Sequence, residues 1–425
     1  MSASIKSVSG ETVTLEVTVR LNDSMLDSEQ AILSSLNEAG SLATGEALKR
    51  FDTDGSRLEM GGEKWFSKGE VAKLYQTPYG EVEIGRQVYQ RSTGGKTFCP
   101  LEREARIVVT STPRFAQVIS HKFANGSSIQ VQRDLEDNHG RKVARSYLQR
   151  VADTVGSVAQ VKEQSWHYAT PKLDHRVETV GIGIDGTCMM LCEEGYREAM
   201  TGTLSLYDGQ GERLHTIYLG ATPEYGKARF FERMEREIEH IKRQYPQARY
   251  VGIADGAQSN WDFLTPHTET QILDFYHAAQ YLADVAEAAF PGDKAQREQW
   301  HSDRCHDLKH KQGAASRILK EMQGLSQRRL SEPIREKLEA AITYFVNHKH
   351  QMKYAKYRAA NYPIGSGVTE AACKTLVKQR LCQSGMRWKE KGASVVLSLR
   401  ALVLTEQRWE QFWGKVNQYG FPVAA

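Results

Sequence analysis

The chain has 425 residues, 25% of them charged and 40% hydrophobic, with a formal net charge of +4; these are globular proportions, and they exclude both a mini-protein and a disordered chain. No run approaches the eighteen or so consecutive apolar residues of a membrane helix, and MSASIKSVSGETVTLEV lacks the basic-then-apolar order of a secretory signal, so a soluble, cytoplasmic protein is expected. Cysteines at 99, 188, 192, 305, 373 and 382 are scattered without zinc spacing, which argues against a disulfide framework or structural zinc.

The opening stretch to about residue 30 alternates in ETVTLEVTV and reads as a strand, and AILSSLNEAGSLATGEALKRF after it has the apolar spacing of two short helices. VAKLYQTPYGEVEIGRQVYQRSTGGKTFCPL alternates around breaks at Pro78-Tyr79-Gly80 and Gly94-Gly95, a β-hairpin signature. From Pro113 the pattern turns helical. SIQVQRDLEDNHGRKVARSYLQRVADTVG reads as a helix, a turn at Asn138-His139-Gly140 and a second helix with Val143, Tyr147, Val151 and Val155 on its apolar face. Arg141, Lys142, Arg145, Gln149 and Arg150 lie at its start and outside, a helix-turn-helix layout that would place them on DNA. Plain helical hairpins share that layout.

After about Val177 the period changes. VETVGIGID is a near-continuous apolar strand, YREAMTGTLSLYD and ERLHTIYLG are alternating strands, KARFFERMEREIEHIKRQY is an amphipathic helix, and YVGIAD is another buried strand. A three-strand meander, a helix and a strand ending in aspartate form the opening of an RNase H-like α/β fold. QILDFYHAAQYL supplies a fifth strand running into a helix, and residues 280–360 are helical, polar and basic. The expected organisation is a mixed α/β region with a hairpin (1–112), a helical DNA-binding region (113–176), the first part of an RNase H-like core (177–279), an all-helical insertion (280–360) and C-terminal core helices (361–425). Residues 281–425 hold 24 Lys and Arg against 14 Asp and Glu, whereas residues 1–280 are net acidic. Such a basic end suits either a solvated helical surface or a polyanionic partner.

Asp185 in GIGIDGT and Asp255 in VGIADGA close strands that are neighbours in such a sheet, so both carboxylates would emerge at one end. Paired carboxylates repel unless a cation lies between them, and hard oxygen ligands suit Mg²⁺. Asp-Gly is also a common turn dipeptide, and only the two together at strand ends point to chemistry. Glu370 in GSGVTEAACK is the candidate third acid, approached through Gly365 and Gly367, where missing Cβ atoms would let backbone or DNA come close. A first-turn glutamate offsetting the helix dipole is its plainer reading. Lys374, Lys378 and Arg380 follow on the same helix and would flank a phosphate path. Arg387 and Trp388 suit phosphate clamping and base stacking, though a tryptophan packed under a basic helix is the simpler account.

GIGIDGT, VGIADGA, LDFYHAAQYL, LSLRALVL and above all YPIGSGVTEAACKTLVKQRLCQSGMRW resemble the bacterial insertion-sequence transposases of the ISKra type, related to the Mutator-like DDE group. The resemblance covers residues 178–410 and, more weakly, the N-terminal part. It implies a catalytic triad of Asp185, Asp255 and Glu370 on an RNase H-like core whose helical insertion accounts for the 115-residue gap from Asp255 to Glu370. Asp274 and His277 match the family's acid-x-x-His signature, either as supports behind the catalytic acids or as a structural pair at the core edge.

Three carboxylates holding two Mg²⁺ ions, with Mn²⁺ as a substitute, would promote in-line attack on a phosphodiester. Water would nick the element end, and the released 3′-hydroxyl would then attack target DNA, without a nucleotide cofactor. Two ends must be held together, so a homodimer on DNA is expected, in a nucleoid-associated bacterial protein. A structure-specific RNase H-like nuclease would share the acids but cut without joining. A transposase-derived DNA-binding regulator would keep the fold and lose an acid, and all three acids are present.

Overall fold

Alternating valines and threonines near the N-terminus make a two-stranded hairpin, β1 (Ala3–Ser9) and β2 (Thr12–Val17), in the computed structural model, which describes residues 2–421. One 25-residue helix, α1 (Met25–Lys49), replaces the two short helices expected. Two glycines of this helix serve packing: a Cβ on Gly40 would meet the Tyr79 ring, and Gly45 lies against Val82 and Ile84. Strand β3 (Leu58–Met60) pairs with β4 (Glu63–Gln76), and β4 pairs with β5 (Glu81–Arg91) as the expected hairpin through Thr77–Gly80.

Helices α2 (Pro100–Glu104), α3 (Pro113–Asn125), α4 (Ser128–His139) and α5 (Arg145–Lys162) follow. A full capping box at Ser127 starts α4, and left-handed Gly140 (φ 62°) ends it. The chain then runs as a non-helical link to Arg145, so α5 begins four residues later than expected and Val143 is buried ahead of it.

Contacts divide the chain into two units. The first comprises the described residues up to Tyr168 with Ser398–Val403 and those from Arg408 onward, and the second comprises Ala169–Leu397 and Leu404–Gln407. The C-terminal end therefore departs from the expectation that it completes the core sheet's unit. In the first unit, α16 (Arg408–Tyr419) sets Phe412 against Trp166, with centroids 5.8 Å apart, and Trp409 against His121, while Arg400 donates to the Ala124 carbonyl at 2.8 Å.

The second unit is built on a five-stranded mixed sheet of β6 (Thr179–Leu191), β7 (Gly195–Tyr207), β8 (Arg213–Ala221), β9 (Arg249–Ala254) and β10 (Thr270–Leu273), ordered β10-β9-β6-β7-β8. β6, β9 and β10 are parallel, and β7 runs antiparallel to β6 and β8. Helix α6 (Ala228–Gln244) buries Phe230, Met234, Ile238 and Ile241, the stripe its periodicity demands. After α7 (Gln258–Leu264) and β10 comes α8 (Phe275–Ala289). The four helices α9 (Lys294–His310), α10 (Ala314–Leu325), α11 (Glu332–His348) and α12 (Tyr354–Ala359) share one apolar core with the sheet, through Trp300, Leu338, Phe345 and Tyr354 among others.

The chain returns through α13 (Gly367–Ala372), a π-helical segment (Cys373–Lys378) and α14 (Gln379–Leu381), then α15 (Glu390–Leu404). Among the described residues, no helix is long and apolar enough to cross a membrane.

Candidate active site

Register places the acids. Gly183 on β6 pairs with Ile253 on β9, and Ala254 on β9 pairs with Leu273 on β10. Continuing those offsets brings Asp185, Asp255 and Asp274 to one level across three adjacent parallel strands, at the end where loops and helix starts leave room for chemistry. Asp185 is not at a strand end, because β6 runs on to Leu191 and Asp185 pairs with Thr201 of β7. That removes the turn reading for Asp185. Asp255 does begin a turn, with Gly256 at φ 110°.

Asp185 is half-buried. Its Oδ1 accepts from the Gly186 N–H at 2.7 Å, and the Cys373 thiol lies 3.4 Å from Oδ2. Burial pushes its carboxyl above the usual aspartate range, and the negative charge of Asp255 adds to that against the hydrogen bonds. Asp255 Oδ1 accepts from the Ala257 N–H at 3.2 Å and Asn260 Nδ2 at 3.4 Å, while its carbonyl accepts from the Tyr344 hydroxyl at 2.7 Å. The helical insertion thus reaches the strand ends directly. Tyr354 does the same, donating to the Leu273 carbonyl at 3.0 Å.

Asp274 is fully buried and caps α8 through the N–H groups of Tyr276 and His277. Its other oxygen accepts from the N–H and hydroxyl of Ser366, whose hydroxyl also lies 2.8 Å from Glu370 Oε1. Burial alone would raise the Asp274 carboxyl, but the neighbouring His277, Ser366 and Tyr276 donors outweigh it and hold it at about 2. Among the described residues His277 Nδ1 is buried with no hydrogen-bond partner, 3.6 Å from Asp274 Oδ2 and 4.0 Å from Glu370 Oε1; the carboxylate of Asp274 raises its pKa against burial. One potential ligand atom each from Asp274, His277 and Glu370 falls within a 4.8 Å cluster.

Glu370 stands on α13, held to the sheet by a 2.8 Å bond between buried Thr369 and Thr203. The helix comes this close because Gly183 has no side chain: a Cβ there would overlap Thr369 Oγ1. Gly365 likewise makes way for the Tyr276 ring, whereas Gly367 faces open space, so only the latter leaves room for a ligand. Beyond Glu370 the π-helical turn redirects the chain, a distortion frequent at functional sites. Burial and the charge of Asp185 push the buried Cys373 thiol up to about 12, leaving it a neutral S–H donor. An open cleft of about 630 Å³ is lined by Asp185, Glu370, Cys373, Lys374 and Lys378 among others.

The remaining expected DNA contacts divide. Lys374, Lys378 and Arg387 are exposed. Arg380 is buried, with its guanidinium 5.1 Å from the Trp388 ring, so it does not flank a phosphate path. Trp388 is tied down by its indole N–H to the Leu381 carbonyl at 2.9 Å and by backbone bonds to Met190 and Cys192, which favours the packing account over base stacking. In the first unit Lys142, Arg145, Gln149 and Arg150 are exposed. Arg141 is not available to DNA: it is buried, bonded to the Thr77 carbonyl and Gln76 Oε1, and lies over the Phe115 ring.

Sequence reasoning missed Ser366, Cys373, Thr369 and Tyr344. The Gly-Ser-Gly run was a usable signal for Ser366; nothing local marks Tyr344, 89 residues from the carbonyl it binds. No protein-family model matches this chain, and no curated protein matches it.

Proposed function

We propose that the chain is a DDE-type transposase with an RNase H-like core, similar to the ISKra type, that cleaves the ends of its insertion sequence and joins the 3′-hydroxyls to target DNA. The observation that carries this reading is the common level of Asp185 and Asp255 on parallel neighbours β6 and β9, with Glu370 beside Asp185 in one cleft. The sheet order, fifth, fourth, first, second, third in sequence with only the second strand reversed, supports the RNase H-like assignment.

Asp185, Asp255 and Glu370 offer the carboxylate oxygens that a hard divalent cation prefers, and Asp185 and Asp255 repel each other in a half-buried setting; among the described residues the ligand atoms that already converge within 4.8 Å are those of Asp274, His277 and Glu370. Held by Asp185, Asp255 and Glu370, Mg²⁺ or Mn²⁺ would supply activation of the attacking oxygen and stabilisation of the leaving one. Lys374 and Lys378 line the same cleft and would hold the phosphates flanking the scissile bond. The single hydroxyl proton of Ser366 lies within reach of both Asp274 and Glu370 and is shared between them, which ties the position of the Glu370 carboxylate to Asp274. The Cys373 S–H steadies Asp185 without competing as a thiolate.

Arg145, Gln149 and Arg150 with Lys142 would read the element ends. A homodimer on DNA would bring the two ends together, in a nucleoid-associated cytoplasmic protein. The test is a strand-transfer assay with the element's own ends, a target plasmid and Mg²⁺. Joined product that vanishes in Asp185→Ala, Asp255→Ala and Glu370→Ala, with end binding retained, is expected. Nicking without joining would make the protein an RNase H-like nuclease, and the absence of both nicking and joining would overturn the reading.

A further inference from the structure

Apart from the acid cleft, the helical insertion bears a depression of about 360 Å³ whose lining includes Lys311, Lys349, Lys353 and Lys356, with Gly313 at its edge and Tyr354 in its wall. No carboxylate is part of that lining. Lys311 is paired with Asp307 at 2.7 Å. Among the described residues, no carboxylate lies within ion-pair distance of Lys349, Lys353 or Lys356, and all three are exposed. These three lysines stand within eight residues with no carboxylate against them, so they add a positive potential to one surface that attracts a polyanion.

Two further features point the same way. Gly313 is the left-handed N-cap of the 12-residue α10 and brings no capping side chain, so that helix start adds partial positive charge at the edge of the depression. Tyr354, fully buried, ties the depression to the acid centre, since its hydroxyl donates to the carbonyl of Leu273, the residue before Asp274. The same residue thus lines the depression and touches the end of β10. A nucleic-acid strand offers a row of anions, one phosphate per nucleotide, to such a group of cations. Three separate exposed lysines match the several charges of a phosphodiester backbone better than the charge of one phosphate.

We propose that Lys349, Lys353 and Lys356, with the N-terminus of α10, clamp a phosphodiester segment of the DNA substrate next to the acid centre. The proposal rests on the reading that this substrate is DNA. The full-length protein carrying Lys349→Gln, Lys353→Gln and Lys356→Gln is compared with the wild type for binding to a fluorescein-labelled DNA duplex across a salt series. A second triple variant, Lys172→Gln, Lys294→Gln and Lys320→Gln, removes exposed lysines that do not line the depression. The clamp variant should melt like the wild type, bind roughly tenfold or more weakly, and flatten the log–log salt slope by about 2 to 3, at about 0.9 per lost phosphate contact. The control variant should keep the wild-type slope.

An unchanged slope in the clamp variant, or equal losses in both variants, overturns the clamp while leaving the catalytic reading intact. Wild type that binds no duplex overturns both. Inorganic phosphate is then titrated by calorimetry at constant ionic strength; phosphate that binds the wild type but not the clamp variant, while both proteins bind the duplex with the same affinity and salt slope, would assign the depression to free phosphate and overturn the DNA clamp.

Discussion

Ser366 donates both its backbone N–H and its hydroxyl to one carboxylate oxygen of Asp274, across 92 residues of chain. Because the same hydroxyl touches Glu370, a single serine couples the end of β10 to the helix that carries the third acid.

Ser366→Ala should therefore loosen Glu370 without removing it. Loss of a hydroxyl bond to a buried carboxylate costs about 1.5 to 3 kcal/mol of stability, read as a lower melting temperature. A merely structural role would stop there. The expected additional result is a higher Mg²⁺ concentration for half-maximal cleavage; an unchanged Mg²⁺ requirement would separate Ser366 from the site.

The Asp274–His277 pair predicts a pH dependence of stability. Asp274 is held at about 2 against an ordinary 3.8, so its contribution is present above the ordinary value and is lost as pH falls from about 4 toward 2. His277 is raised above 6.5, so its contribution is full below that pH and disappears as pH rises through its folded value. The difference in unfolding free energy between wild type and His277→Gln should be widest between about pH 4 and 6.5 and shrink above. A difference that grows with rising pH would contradict the pairing.

Asp185 sits where burial and Asp255 both disfavour its charge. In chelator, Asp185→Asn should melt no lower than the wild type, since it removes a penalised charge and keeps an acceptor for Gly186. Added Mg²⁺ should stabilise the wild type, by about 2.7 kcal/mol at a hundredfold excess over its dissociation constant. The variant should gain little. Equal gains in both would place the ion elsewhere.

Arg141 and Arg145 make a contrasting pair. Removing the buried Arg141 guanidinium with its two bonds and its ring contact should cost about 2 to 4 kcal/mol, whereas exposed Arg145→Ala should stay within about 0.5 kcal/mol. Duplex binding measured well below both melting temperatures should weaken for Arg145→Ala and not for Arg141→Ala. The reverse pattern would restore Arg141 as a DNA contact.

Several elements were legible in the sequence because their signals are local. The alternation in β7 and β8, the apolar runs of β6 and β9, the stripe on α6 and the hairpin turn at Thr77–Gly80 each depend on periodicity or turn chemistry over fewer than twenty residues. The order of those elements carried the expectation that β6 and β9 are neighbours, as they are, and with it that Asp185 and Asp255 stand side by side.

What the tertiary structure alone decided depends on partners distant in the chain. Arg141 and Arg145 are the same residue type four positions apart, yet one is enclosed by Phe115 and the Thr77 turn and the other faces solvent. Gly40 lies within α1 where a Cβ would meet the Tyr79 ring, a contact that no local signal marks. The meeting of Ser366, Asp274, His277 and Glu370 needs three elements to close on one point, and Tyr344 reaches Asp255 only because the insertion folds back on the strand ends. A residue's type and neighbours set what its side chain can do; which surface packs across from it decides whether that capacity is spent on structure or left open for a ligand.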